Sequence, residues 1–131
     1  MLFRSMKKIV LTQDAPAPIG PYSQAVSAGP FLFCSGQIAL DPKTSQVVGQ
    51  DVKSQTEQVM KNIEAVLTAG GMKFENVVKT TIFLTSMGDF PIVNEIYGRF
   101  FPNNPPARST VEVRGLPKGV QVEVEVLAYK G

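Results

Sequence analysis

The chain has 131 residues and a net charge of +2, from 13 basic and 11 acidic side chains. At 44% hydrophobic and 18% charged, one domain of this size buries roughly 65–70% of its unfolded surface. No apolar run approaches the roughly 20 residues of a membrane span, and the charge balance predicts no polyanion partner. Histidine is absent and there is one cysteine, Cys34, which excludes a Ser-His-Asp triad, a Cys-His dyad, a His-held metal and an internal disulfide. A lone thiol suits a reducing compartment, so the expected location is the cytoplasm.

Residues 1–131 read as a single domain. Residues 1–5 read as an extension, non-native or disordered, ahead of a second possible start at Met6-Lys7-Lys8. Residues 9–11 predict a first strand, too short an apolar run for a secretory signal. Residues 15–21, with three prolines and a glycine, predict an ordered loop. Residues 23–28 predict a short strand stopped by Gly29-Pro30. Residues 31–40 predict a strong strand with Gly36 inside it, where an interior glycine marks a bulge or a close backbone approach. A turn at 41–44 leads to a short return strand at 46–48.

Residues 51–69 predict the first helix, with Asp51 as its N-cap and Gly70-Gly71 as its stop. Val52, Val59, Met60, Ile63, Val66 and Leu67 recur at helical spacing. Residues 77–84 predict a strand. Asp89 is the expected cap of a second helix, with Pro91 tolerated in its first turn, and Phe90, Val93, Tyr97, Phe100 and Phe101 as its apolar, core-facing stripe. Residues 107–115 and 120–129 predict two closing strands. The class is α+β: a mixed sheet of about six strands with two helices packed on one face. The other face still carries apolar side chains, because 31–40 is apolar on both parities and Leu127 and Tyr129 point away from the valines of the last strand. A second copy of the chain is the simplest cover.

Alternation in the closing strands puts Arg108, Thr110, Glu112 and Arg114 on one face, and Gln121, Glu123, Glu125 and Leu127 on one face. Read as a hairpin with 115 opposite 120, Val111 meets Val124 and Glu112 meets Glu123. Arg108 and Glu123 then share the face turned away from the helices. The like-charge pair Glu112–Glu123 would need relief from a cation, a protonated carboxyl or a polar ligand, and the nearby Glu112 would raise the pKa of Glu123. That face is either a site or a solvated sheet surface laced with salt bridges.

Four segments carry a resemblance: Ile19-Gly20-Pro21-Tyr22-Ser23-Gln24-Ala25, Ser35-Gly36-Gln37-Ile38, Pro106-Ala107-Arg108-Ser109-Thr110-Val111-Glu112-Val113, and Leu116-Pro117-Lys118-Gly119 followed by Val122-Glu123-Val124-Glu125. In this order and spacing the chain resembles the RidA/YjgF family of reactive intermediate deaminases, from about residue 15 to the C-terminus. The resemblance implies a chorismate-mutase-like fold and a homotrimer with three clefts between subunits. It also implies cofactor-free hydrolysis of 2-imino acids and their enamine tautomers, 2-iminobutanoate and 2-iminopropanoate, to 2-keto acids and ammonia, which spares pyridoxal-phosphate enzymes. Relatives have also been described as ribonucleases or translation inhibitors. Against that reading, the basic residues are dispersed and no basic patch interleaves with aromatics. A third reading is a trimeric binder of small carboxylates without turnover.

The resemblance implies Arg108 as the clamp of a substrate carboxylate, a role its planar fork suits. It implies Glu123 as the acid/base that takes a proton from attacking water and gives one to leaving ammonia. Tyr22, Ser35, Gly36, Asn94 and Thr110 are the implied remaining cleft residues. Many relatives carry cysteine where Thr110 stands, so no thiol role transfers to it. The segment between the second helix and Arg108 also looks shorter than in some relatives. No metal and no cofactor is expected. Cys34 reads as a buried small hydrophobe.

Overall fold

The computed structural model describes residues 7–131; the expected extension at 1–5 lies outside them. Six strands form one mixed sheet: β1 (Lys7–Val10), β2 (Ala25–Ala28), β3 (Phe31–Cys34), β4 (Val77–Leu84), β5 (Ala107–Glu112) and β6 (Val122–Tyr129), in the order β1-β2-β3-β6-β4-β5. Helices α1 (Val52–Ala69) and α2 (Phe90–Gly98) complete the α+β architecture.

The core lies between α1 and the sheet. Val59, Met60, Ile63, Val66 and Leu67 of α1 are buried, as are Leu32 of β3, Ile82 and Leu84 of β4, and Val122, Val124 and Val126 of β6. The α1 stripe follows from its 3.6-residue period, and the β6 stripe from a period of two. Asp51 caps α1 as expected, its Oδ1 accepting the Ser54 N–H at 2.8 Å. Gly70 ends the helix against β3, where a Cβ would stand 2.6 Å from the Leu32 side chain. The sheet face away from the helices leaves Phe31, Phe33, Tyr129 and Val111 exposed. Phe31 packs there on Tyr129, ring centroids 5.2 Å apart.

Several expectations need correction. The long strand at 31–40 ends at Cys34; Ser35 adds one more bond to the β2–β3 ladder, its N–H donating to the Gln24 carbonyl at 2.9 Å, and the chain then leaves it. It regains the sheet only through an isolated bridge between Gln37 and Val124. The return strand at 46–48 is one bridge, Leu40 with Val47. Asp89 does not cap α2 with its side chain; it closes a 3-10 turn, Met87–Asp89, that runs into the helix.

The largest correction concerns the closing hairpin, which does not form. β4 lies between the two strands: β5 pairs with it in parallel and β6 antiparallel. A parallel neighbour needs a crossover, and α2 supplies it. Residues 113–121 then cross the end of β4, with Val113 donating to the Leu84 carbonyl and Thr85 donating to the Gln121 carbonyl. Alternation put the β6 valines on the helix side correctly, but it put Val111 there too; Thr80, Ile82 and Leu84 of β4 take that place, and Val111 lies exposed on the open face. Parity selects a face and leaves the neighbour open.

Gln24 is the buried polar pin of the loop before β2. Its Oε1 accepts from the Thr12 N–H at 2.7 Å, and its Nε2 donates to the carbonyls of Thr12 at 3.0 Å and Pro16 at 2.9 Å. Truncation leaves buried backbone groups without partners, so Gln24→Ala should destabilise the fold by about 2–3 kcal/mol. A urea midpoint unchanged from wild type would contradict this role.

Candidate active site

The residues singled out in the sequence fall into two groups on opposite faces of the sheet. Directly paired residues on neighbouring strands share a face. Arg108 pairs with Thr80 and Thr80 with Val126, all on the helix side. Glu123 pairs with Phe83, and Phe83 with Val111, on the open side. The expectation that Arg108 and Glu123 share the face away from the helices is therefore wrong. Within one chain they stand three residues apart along the strands, about 10 Å, and two strands apart across the sheet, about another 10 Å. Glu112 does not meet Glu123; it pairs with Leu84, and its Oε1 accepts the Met87 N–H at 2.7 Å.

The open-side group surrounds a cavity of about 350 Å³ lined by Tyr22, Ser35, Gly36, Glu123, Ile38 and Pro117, among others. The break in the strand after Cys34 brings Ser35 and Gly36 against β6. A Cβ on Gly36 would collide with the Glu123 carboxylate, whose carbon lies 2.9 Å from that point. The glycine is there for close approach, as its place in the sequence predicts. The Ser35 hydroxyl is already committed, donating to the Ser23 carbonyl at 2.6 Å, so its side chain shapes the loop. Tyr22 is half-exposed at the rim, and its hydroxyl accepts the Ile19 N–H at 3.4 Å. It both walls the cavity and braces its own loop.

Burial raises the Glu123 carboxyl above the ordinary carboxylate range, and the neighbouring charge of Glu125 raises it further. The direction matches the sequence reading, but the cause does not, since Glu112 is on the other face. Cys34 is pushed up to about 12 by burial, which keeps it a neutral thiol.

The helix-side group sits at the sheet edge. Arg108 is exposed on β5, and its Nη1 donates to Asn94 Oδ1 of α2 at 2.7 Å. Thr110 is half-buried on the same face, paired with Ile82. Sequence reasoning missed Gln24, whose signal was a polar residue next to a proline-rich loop full of carbonyls needing donors. It also read Phe90 and Tyr97 as core alone, although both rings lie against the Arg108 guanidinium. A larger cavity, about 510 Å³, opens beside Phe74, Phe100 and Phe101 and holds none of the residues above.

The family model described as Endoribonuclease L-PSP matches residues 12–130. The chain belongs to this family, the Rid/YjgF proteins. It is 51% identical over 125 residues to a RutC family protein of Pyrococcus horikoshii, covering 95% of this chain and 99% of that one. It is 45% identical over 126 residues to the mouse protein named 2-iminobutanoate/2-iminopropanoate deaminase, covering 96% of this chain and 93% of the mouse protein. The solved structure of the E. coli protein TdcF with bound serine superposes with a TM-score of 0.90 at 39% identity, covering 95% of this chain and 99% of that one.

Two predictions follow from the cavity. Gly36→Ala should leave the fold intact, since the far end of a flexible side chain can swing away. It should displace the Glu123 carboxylate, and a displacement of about 1 Å at a reacting group costs on the order of 10²-fold in rate. Full activity in Gly36→Ala would show that this carboxylate position is not used.

The second concerns pH. A carboxyl raised in the folded state favours folding while protonated, so its contribution is present below the unfolded value and lost as pH rises through the folded one. Relative to Glu123→Gln, the wild-type melting temperature should therefore fall as pH rises upward from about 4.5. Parallel melting curves for the two proteins would contradict the shift.

Proposed function

We propose that this protein hydrolyses reactive 2-imino acids and their enamine tautomers, 2-iminobutanoate and 2-iminopropanoate among them, to 2-keto acids and ammonia. Clefts between the copies of a homotrimer are the proposed sites, with no metal or cofactor in the chemistry. The cytoplasm, where pyridoxal-phosphate dehydratases release such imines, is the matching location. The observation that carries this reading is the separation of the two groups. A carboxylate clamp at a sheet edge and a raised carboxyl in a cavity on the other face cannot serve one small substrate within one chain. Each is a half-site, and a second copy supplies the other half. The uncovered aromatic face of the sheet supports such an assembly, and the names of relatives support the chemistry.

In this mechanism the Arg108 fork of one copy holds the substrate carboxylate with charge-assisted hydrogen bonds. Glu123 of the neighbouring copy, ionised, takes a proton from water as its oxygen bonds to C2 and the C=N double bond opens. Glu123 returns that proton to the nitrogen to complete the carbinolamine, which then collapses: Glu123 takes the hydroxyl proton as the carbonyl forms and passes it to the nitrogen as the C–N bond breaks, releasing ammonia. A carboxyl whose proton affinity is raised by burial suits both transfers. Tyr22, Ser35, Gly36, Asn94 and Thr110 shape or complete the cleft. No step needs a nucleophile at Thr110.

The family description names an endoribonuclease, and this is the competing activity. The 13 basic residues are scattered, with Lys7-Lys8 the one adjacent pair, which gives a phosphate backbone no continuous track.

Subunit mixing tests the reading. Arg108→Ala should lower imine hydrolysis by about 10²–10³-fold or more, because hydrogen bonds to a carboxylate contribute about 1.5–3 kcal/mol each. Arg108→Lys should also be impaired, since it loses the fork. Glu123→Gln should lose turnover while still binding a keto acid, which separates an enzyme from a binder. Mixed and reassembled at equal amounts, Arg108→Ala and Glu123→Gln should recover about a quarter of wild-type activity, because about a quarter of clefts then combine two intact halves. A stable monomer by light scattering, or RNA cleavage without imine hydrolysis, would reject the proposal.

A further inference from the structure

The surroundings of Arg108 carry more than a clamp. Phe90, Asn94 and Tyr97 stand at i, i+4 and i+7 on α2, one stripe of the helix. All three meet the same guanidinium. Its central carbon lies over the Phe90 ring at 5.3 Å from the centroid and over the Tyr97 ring at 5.1 Å, while Nη1 donates to Asn94. Tyr97 is itself held: its hydroxyl lies 2.7 Å from that of Thr80, both residues buried. Thr80 is the β4 residue paired with Arg108. The β4–α2–β5 unit thus closes on itself, with Thr80 fixing the Tyr97 ring and that ring lying against the arginine.

An exposed arginine on an edge strand has many rotamers, and freezing it on binding costs affinity. Two ring faces and one hydrogen bond restrict it beforehand. Asn94 uses one of the five N–H groups, so a two-pronged grip on a carboxylate remains open.

We propose that Phe90, Tyr97 and Thr80 are positioning residues that preset the Arg108 guanidinium for a small carboxylate. This rests on the clamp assigned to Arg108 above. It also makes Asn94 a partner of the arginine before any substrate is present.

The test uses the full-length protein, 2-oxobutanoate as the bound probe, and Phe90→Leu, a half-buried position where folding is least at risk. Phe90→Leu should weaken 2-oxobutanoate binding and raise KM for the imine by roughly tenfold, with kcat within about twofold. Phe90→Tyr, which keeps a ring, should restore both. Thr80→Val should give a smaller shift in the same direction. In an Arg108→Ala background, Phe90→Leu should have no further effect on 2-oxobutanoate affinity. Nitrogen NMR of the Arg108 Nη groups should show slow rotation in wild type and faster rotation in Phe90→Leu.

Additive losses in the double variant, or equally fast Nη rotation in wild type, overturn the positioning role. Arg108-dependent 2-oxobutanoate binding without imine hydrolysis removes the deaminase reading and leaves this inference standing. Absence of any Arg108-dependent binding of the probe overturns both.

Discussion

The parallel pairing of β5 with β4 is the constraint on which the rest of the site depends. It requires a crossover helix, and α2 fills that place. It makes β5 an edge strand, so Arg108 stands where another molecule can reach it. It also sets the face. With Arg108 beside Thr80, the arginine must share the helix side, and the rings of Phe90 and Tyr97 follow. Had β5 paired with β6 instead, the arginine and Glu123 would have shared one face of one chain, though still about 13 Å apart along the strands.

The opposite side of the molecule obeys a different constraint. Strand β6 is central and its Glu123 points away from the helices. A carboxylate there can be accommodated only if the neighbouring chain makes room. Gly36 does so, and the chain leaves the strand at Ser35 to bring it there. The space given to the carboxylate is half-buried, and burial is what raises it. Packing, conformation and proton affinity are one arrangement at this point.

Buried glutamine side chains do the connecting work around the cavity. Gln24 ties the proline-rich loop to β2 through its amide, which sets the wall formed by Pro16. Gln55 of α1 accepts the Gln121 N–H at 2.8 Å, anchoring the crossing segment before Glu123 begins its strand. In both cases a side-chain amide satisfies backbone groups that an irregular segment leaves over. These loops carry the site because their backbone is pinned from within.

What the sequence determined by itself is what local physics determines. The stripe of α1, its Asp51 cap, the bounds of β4 and the two-residue period of β6 are visible because each depends on neighbours within a few positions. Gly36 announced a close approach, which the Glu123 carboxylate makes, while Arg108, Glu123 and the other residues the family motifs singled out stand as candidates. What only the tertiary structure decided was the neighbour of each strand. Valine alternation in β6 is satisfied equally by β4 or β5, since both offer an apolar face of the same period. The choice between them turned on the α2 crossover, a contact made across the chain. That choice moved Arg108 to the other face, separated Glu112 from Glu123, and replaced Glu112 by burial and Glu125 as the reason for the raised carboxyl. Period is written into a segment, but partnership is a property of the whole sheet.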